Sequence, residues 1–348
     1  MDKLGFKLDW IKHSDKIYKL QKSNKPFSLT YKYQNRKYTL DQYYRRNNVL
    51  GFLVLKDNQI VLEKYLHNSD INSRFLSYSI QKSITSTLFG IALEDGKIKS
   101  IDDPVIKYLP ELKVSGYNNV TLRQVLQMSS GIDATEDYLD PHSSIQKFGV
   151  SFLRGVPSFM DYLKILKAKP NVVPGTIFDY ESVNTEVLGI VIERSTGLPL
   201  NKYLQEKLWK KIGTQSDAFI FRAKSQINQC AFGCFNATLR DYGRFGLMMM
   251  NGGILGGNNV VDSSWVTQAT TQRFAPTGEH LDGYGYQWWI PQGNDHAFEG
   301  IGIFGQTLYS NPTKHIVIVK FAAWPTPDSK ARWMESERVI NAIVKLLS

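Results

Sequence analysis

Cysteine is scarce: Cys230 and Cys234 are the whole complement of a 348-residue chain, so no disulfide scaffold organises the fold. Long apolar runs are missing too. None reaches the roughly 18 residues that a membrane-spanning helix needs. The opening MDKLGFKLDWIKHSD carries no continuous hydrophobic stretch of the secretory-leader kind, which leaves the compartment open between cytoplasm and periplasm. The six histidines (His13, His67, His142, His280, His296 and His315) show neither H-E-x-x-H nor Cys/His ligand spacing, so neither a metal nor another cofactor is expected. There is no G-x-S-x-G elbow, and with it goes the α/β-hydrolase type of nucleophile. Gly300, Gly302 and Gly305 do spell G-x-G-x-x-G, but a hairpin pattern follows where a dinucleotide site needs a helix. Acidic residues are in deficit, 32 against 42 basic ones, and the net charge is +10. Those cations are dispersed, which fits a solvated surface better than a nucleic-acid interface.

What is present is core material, with 42% hydrophobic residues. The stretch NNVLGFLVLKDNQIVLEKYLHN reads as two strands around Lys56-Asp57-Asn58-Gln59. GQTLYSNPTKHIVIVKFAAW reads as a second hairpin around Asn311-Pro312-Thr313-Lys314. In the tail, Trp333, Val339, Ile340, Ile343 and Leu347 fall along one face of a helix. Between these ends lie apolar-periodic runs closed by glycine, among them SITSTLFGIALEDG and SVNTEVLGIVIERSTG. The pattern predicts an α/β fold of the α+β type, an antiparallel sheet flanked by helices. Residues 1–78 and 285–348 would form the sandwich, and 79–284 an inserted, mostly helical region.

The chemical signal is S-x-x-K, which occurs twice as SIQK. A lysine one turn after a serine projects to the same helix face, and burial lowers its pKa so that the amine accepts the hydroxyl proton. Ser79 and Lys82 open a run with Ile84, Leu88 and Ile91 on one stripe, at a helix start whose dipole favours an oxyanion. Ser144 and Lys147 follow Pro141 and precede Gly149, a pattern that reads as a short surface turn. Tyr180 precedes another helical run, and a phenol beside an ammonium could ionise and serve as a general base.

Together with LEDGKIKSIDDPVIKYLPEL, VTLRQVLQMSSGID, PGTIFDYES, NATLRDYGRFGLMMMNGG and GIGIFGQTLYSNP, these residues resemble the serine β-lactamase and penicillin-binding-protein superfamily over about residues 45–345. The nearest branch is that of class C β-lactamases, esterases and 6-aminohexanoate-dimer hydrolases. The resemblance implies a β-lactamase/transpeptidase-like fold, acyl-enzyme hydrolysis and a small-molecule ester or linear amide as partner. It makes Ser79 the nucleophile, Lys82 its proton acceptor and Tyr180 the tyrosine of a Y-x-N-like motif, with Ser182 in the asparagine position. The strand carrying K-T-G in β-lactamases matches Gly300-Ile301-Gly302, so the backbone N–H groups of Ser79 and Ile303 would form the oxyanion hole. Losing that lysine removes a grip on the β-lactam carboxylate. Tyr138 is either a tyrosine over the scissile amide or a loop aromatic. Tyr284, Tyr286, Trp288 and Trp289 are either pocket walls or core. A β-lactamase, a D-alanyl peptidase or a non-catalytic sensor on the same scaffold are the alternative functions. Cys230 and Cys234 have no evident chemical use.

Overall fold

The computed structural model describes residues 5–274, 283–293 and 295–348; His280 lies outside them. The first hairpin pairs Val49–Lys56 with Gln59–Tyr65. Its two turn residues, Asp57 and Asn58, both take left-handed φ, +50° and +63°, the backbone a two-residue hairpin requires. The second pairs Gln306–Asn311 with Ile316–Ala322. The two hairpins join through Ile318 opposite Val54, so strands from both ends of the chain share one antiparallel sheet. Beyond Gln306–Asn311 come Phe298–Gly302, Trp289–Ile290 and Gly283–Tyr284; at the other edge Gln21–Lys22 pairs in parallel with Gln59 and Ile60.

Both faces of this sheet are covered, which is why its central strands are almost continuously apolar. On one face lies the tail helix, Lys330–Leu347, with Val339 and Ile343 buried against Phe52, Val54 and Ile318. On the other, the helix Leu239–Met250 approaches so closely that a Cβ on Gly246 would sit 2.6 Å from the Val317 side chain.

The helix Ile80–Glu94 is buried on every side from Ile80 to Ala92 and packs against Ser182–Thr196, which is equally enclosed. Its polar residues are tethers. Ser83 and Ser86 hydroxyls donate to the carbonyls of Gln287 and Tyr286, both at 2.7 Å, and Thr85 donates to that of Ala231 at 2.6 Å.

Two features differ from the sequence expectation. A second antiparallel sheet, ordered Phe6–Ile11, Ala218–Ala223, Phe235–Thr238 and Arg74–Leu76, stands beside the helices. Its strands are brought together by tertiary pairing across the chain, and no local hairpin announces it. Ser144–Arg154 is a helix and not a surface turn. Ser143 caps its first turn, Ile145, Phe148 and Phe152 are buried at helical spacing, and Gly149 sits mid-helix with open space about its Cα. Lys147 points outward and is exposed, so Ser144 has no buried amine beside it.

Candidate active site

The turn that carries Ser79 links the small sheet to the buried helix. Arg74–Leu76 ends one residue before Ser77, whose N–H donates to the Phe235 carbonyl at 2.8 Å. Tyr78 then takes φ +43°, an uncommon conformation for a bulky side chain, and Ser79 stands at the N-cap position of Ile80–Glu94 with its hydroxyl free of any capping bond. Across from it the strand Phe298–Gly302 ends, Ile303 follows, and Phe304 takes φ +62°. The Tyr78 and Phe304 rings meet at 5.2 Å, so two left-handed aromatic residues pack together beside Ser79 and Ile303. Gly302 permits this approach, because a Cβ there would lie 2.6 Å from the Ser77 carbonyl oxygen. Gln306 donates to the Ile303 carbonyl at 3.0 Å, and the Phe304 N–H donates to Pro327 at 2.8 Å; these bonds fix the Ile303 loop.

Lys82 is 2% exposed, and its Nζ donates to Ser79 Oγ at 2.8 Å, to Ser182 Oγ at 2.9 Å and to the Phe232 carbonyl at 3.3 Å. Burial lowers its pKa to about 8, against an opposing pull from Glu136. Tyr180 lies over the same amine, with Nζ 5.0 Å from the ring centroid. Its ring stacks on Trp289 at 5.4 Å and meets the edge of Tyr284 at 6.0 Å. The expected phenolate does not fit this environment: burial and then the Glu136 charge push the Tyr180 phenol well up, and Ser79 only partly opposes them. Tyr180 is therefore held as the neutral phenol at ordinary pH.

Glu136 is the residue that sequence reasoning missed. Its carboxylate accepts the Ser182 N–H at 2.9 Å, and both the Ser182 and Tyr138 hydroxyls at 2.5 Å. It thus orients the serine that holds Lys82. The available signal was an acid two residues before Tyr138 in ATEDY, though nothing local says where it points. Tyr138 is half-buried, and burial followed by Glu136 pushes its phenol well up. Tyr286 and Trp288 are core residues, the former accepting from Arg123 at 2.8 Å and the latter packed between Phe245 and Phe298.

Cys230 and Cys234 form a disulfide that closes a five-residue loop beside the site. Two side chains, Gln81 and Glu186, seat this loop through three hydrogen bonds. Gln81 donates to the Cys230 carbonyl at 2.7 Å and accepts from the Cys234 N–H at 2.6 Å, while Glu186 accepts from the Ala231 N–H at 2.9 Å. The loop is thereby held where the Phe232 carbonyl meets Lys82. Ser79, Ile303, Tyr138 and Ser182 line a cleft of about 170 Å³ together with Phe232, Gly233 and Cys234.

This geometry pairs a serine with a desolvated amine at a helix start, the arrangement for nucleophilic acyl transfer. Among the described residues no group of acidic, cysteine and histidine side chains is placed to hold a metal ion. The family model described as Beta-lactamase matches residues 40–339. The 6-aminohexanoate-dimer hydrolase of Paenarthrobacter ureafaciens is 35% identical over 298 residues, 80% of this chain and 74% of that one. A solved structure from Bacillus anthracis, provisionally described as a 6-aminohexanoate-dimer hydrolase, superposes with a TM-score of 0.88 at 25% identity, covering 99% of this chain and 92% of that one. A family VIII carboxylesterase shares the fold, with a TM-score of 0.67 at 16% identity over 87% of this chain and 94% of that one. With its Ser79-Lys82 pair on the buried helix and a match spanning most of its length, the chain belongs to the beta-lactamase family.

Proposed function

We propose that the protein is a serine hydrolase that cleaves an ester or a small linear amide through an acyl-Ser79 intermediate. The observation that carries this reading is the Lys82 amine, enclosed, held between two serine hydroxyls and brought to about pKa 8. In its neutral form it takes the Ser79 proton as Oγ bonds to the substrate carbonyl carbon and the carbonyl π pair moves to oxygen. The N–H groups of Ser79 and Ile303 would hold that oxyanion. As the carbonyl re-forms, the bond to the leaving group breaks, and the leaving group takes a proton from the Tyr180 phenol, which is replenished by the Lys82 ammonium. Water then repeats the sequence on the acyl group, and Ser79 leaves in its turn.

Ser79→Ala is expected to abolish turnover of a p-nitrophenyl ester while leaving the circular dichroism spectrum unchanged. Intact-mass spectrometry of the wild type during turnover should show a gain of one acyl group, mapping to the peptide that contains Ser79. Retained hydrolysis in the alanine variant would overturn the assignment.

A further inference from the structure

The cleft is polar only on the side of the reacting groups. Its remaining wall is built from Leu76, Ile145, Phe152, Phe221 and Phe232, and among the described residues lining it none carries a charge. The two nearest charged groups of the site lie behind that lining, Lys82 bonded to Ser79 and Ser182, and Glu136 bonded to Ser182 and Tyr138. The apolar wall is also closely packed. Phe152 meets Phe221 at 5.2 Å, Phe148 meets Phe232 at 5.1 Å and Phe159 at 5.0 Å, and the Cys230–Cys234 disulfide closes the loop that carries Phe232. These rings come from four separate elements, the helices Ser144–Arg154 and Phe159–Ile165, the strand Ala218–Ala223 and the disulfide loop.

Resting on the hydrolase reading above, we infer that the acyl group accepted by this protein is an uncharged hydrocarbon chain, seated on the Phe152-Phe221-Phe232 wall. A 6-aminohexanoyl group carries a terminal ammonium, and the dimer named for the Paenarthrobacter relative carries a carboxylate as well. Either charge would have to give up water in this cleft with no counter-charge in its lining, which is strongly unfavourable. A methylene chain meets the opposite situation, since each carbon buried against the rings leaves water with a gain.

The test is a series of p-nitrophenyl esters with a constant leaving group: acetate, butyrate, pentanoate and heptanoate, and mono-p-nitrophenyl pimelate as the ω-carboxylate counterpart of the heptanoate. The expected kcat/KM rises about two- to fourfold per methylene until the wall is covered. The pimelate should then fall at least about tenfold below the heptanoate. Phe221→Lys, checked for folding by circular dichroism, should narrow or invert that gap, and Phe221→Ala should move the length optimum to longer chains. A flat or falling length series, or equal rates for heptanoate and pimelate while Ser79 is still acylated, overturns the inference and leaves the hydrolase reading standing. If no ester acylates Ser79, both fall.

Discussion

Lys82 is charged or neutral according to how well two opposing effects balance. Burial disfavours the ammonium, the Glu136 carboxylate favours it, and the outcome is a pKa of about 8. Only the neutral amine can take the Ser79 proton, so kcat/KM should climb with pH on a limb centred near 8. Glu136→Gln removes the charge that raises the amine, and the limb should move to lower pH while the ester is still cleaved. An unmoved limb would show that another group titrates. Tyr180→Phe keeps the ring that covers Lys82 and loses the proton donor, and kcat should drop by about 10²- to 10⁴-fold, most for substrates with poor leaving groups. Ser79, Lys82 and Tyr180 were legible in the sequence because their types and helix-start positions are local. Glu136 was not, since its meeting with Ser182 is made by tertiary folding of one loop onto the start of a helix. The acidity of Tyr180 was misread for the same reason: the spacing suggests a nearby cation, but burial and Glu136 prevail.

At the scale of elements, the site is a junction between a turn and a strand end. Both hairpins and the tail helix could be read from alternation and turn residues, because each is specified by its own segment. The strained pair Tyr78 and Phe304 could not, for neither residue type advertises a left-handed backbone. Gly302 is where the two elements nearly touch. Gly302→Ala would press a methyl against the Ser77 carbonyl, and relief requires the strand end to move away from Ser79. The strand's pairing with Gln306–Asn311 is remote from that contact over most of its length, so the fold should persist. If Ile303 donates to the oxyanion, the displacement should lower kcat by about 10²- to 10³-fold with little change in thermal midpoint. Unchanged kcat in a folded Gly302→Ala protein would remove Ile303 from the mechanism.

The whole molecule carries a second buried amine that the chemistry does not use. Lys320, on the sheet strand Ile316–Ala322, is 2% exposed and donates to Ser336 of the tail helix at 2.7 Å. Its Nζ lies against the touching Trp324 and Trp333 rings, 5.0 and 5.1 Å from their centroids. Burial brings its pKa down to about 7, against opposing pulls from Glu299 and Glu335. From pH 7 up to its unfolded value of 10.5 the unfolded chain binds a proton that the native state does not, so the Lys320 contribution to stability rises with pH across that window, while Glu181 and Glu186, whose burial raises their pKa, act in the opposite sense. Below it both states are protonated, and the full cost of burying the charge, on the order of a few kcal/mol, remains. Lys82 acts in the same direction from about pH 8 upward. Above pH 10 the buried tyrosines reverse the trend, because their phenols are held neutral in the native state and ionise in the unfolded one. Lys320→Met keeps an unbranched side chain beside the two tryptophans and places sulfur against their rings. Ser336 remains bonded to the Tyr43 hydroxyl at 2.8 Å, so no buried group is orphaned. Urea unfolding of wild type and variant between pH 6.5 and 9.5 isolates the Lys320 contribution as the difference between them. The methionine variant should exceed the wild type most at pH 6.5 and by progressively less toward pH 9.5, with ester hydrolysis unaffected. A variant that keeps the wild-type slope would mean that Lys320 stays charged in its aromatic box and that the sheet and tail helix are joined by cation–π attraction.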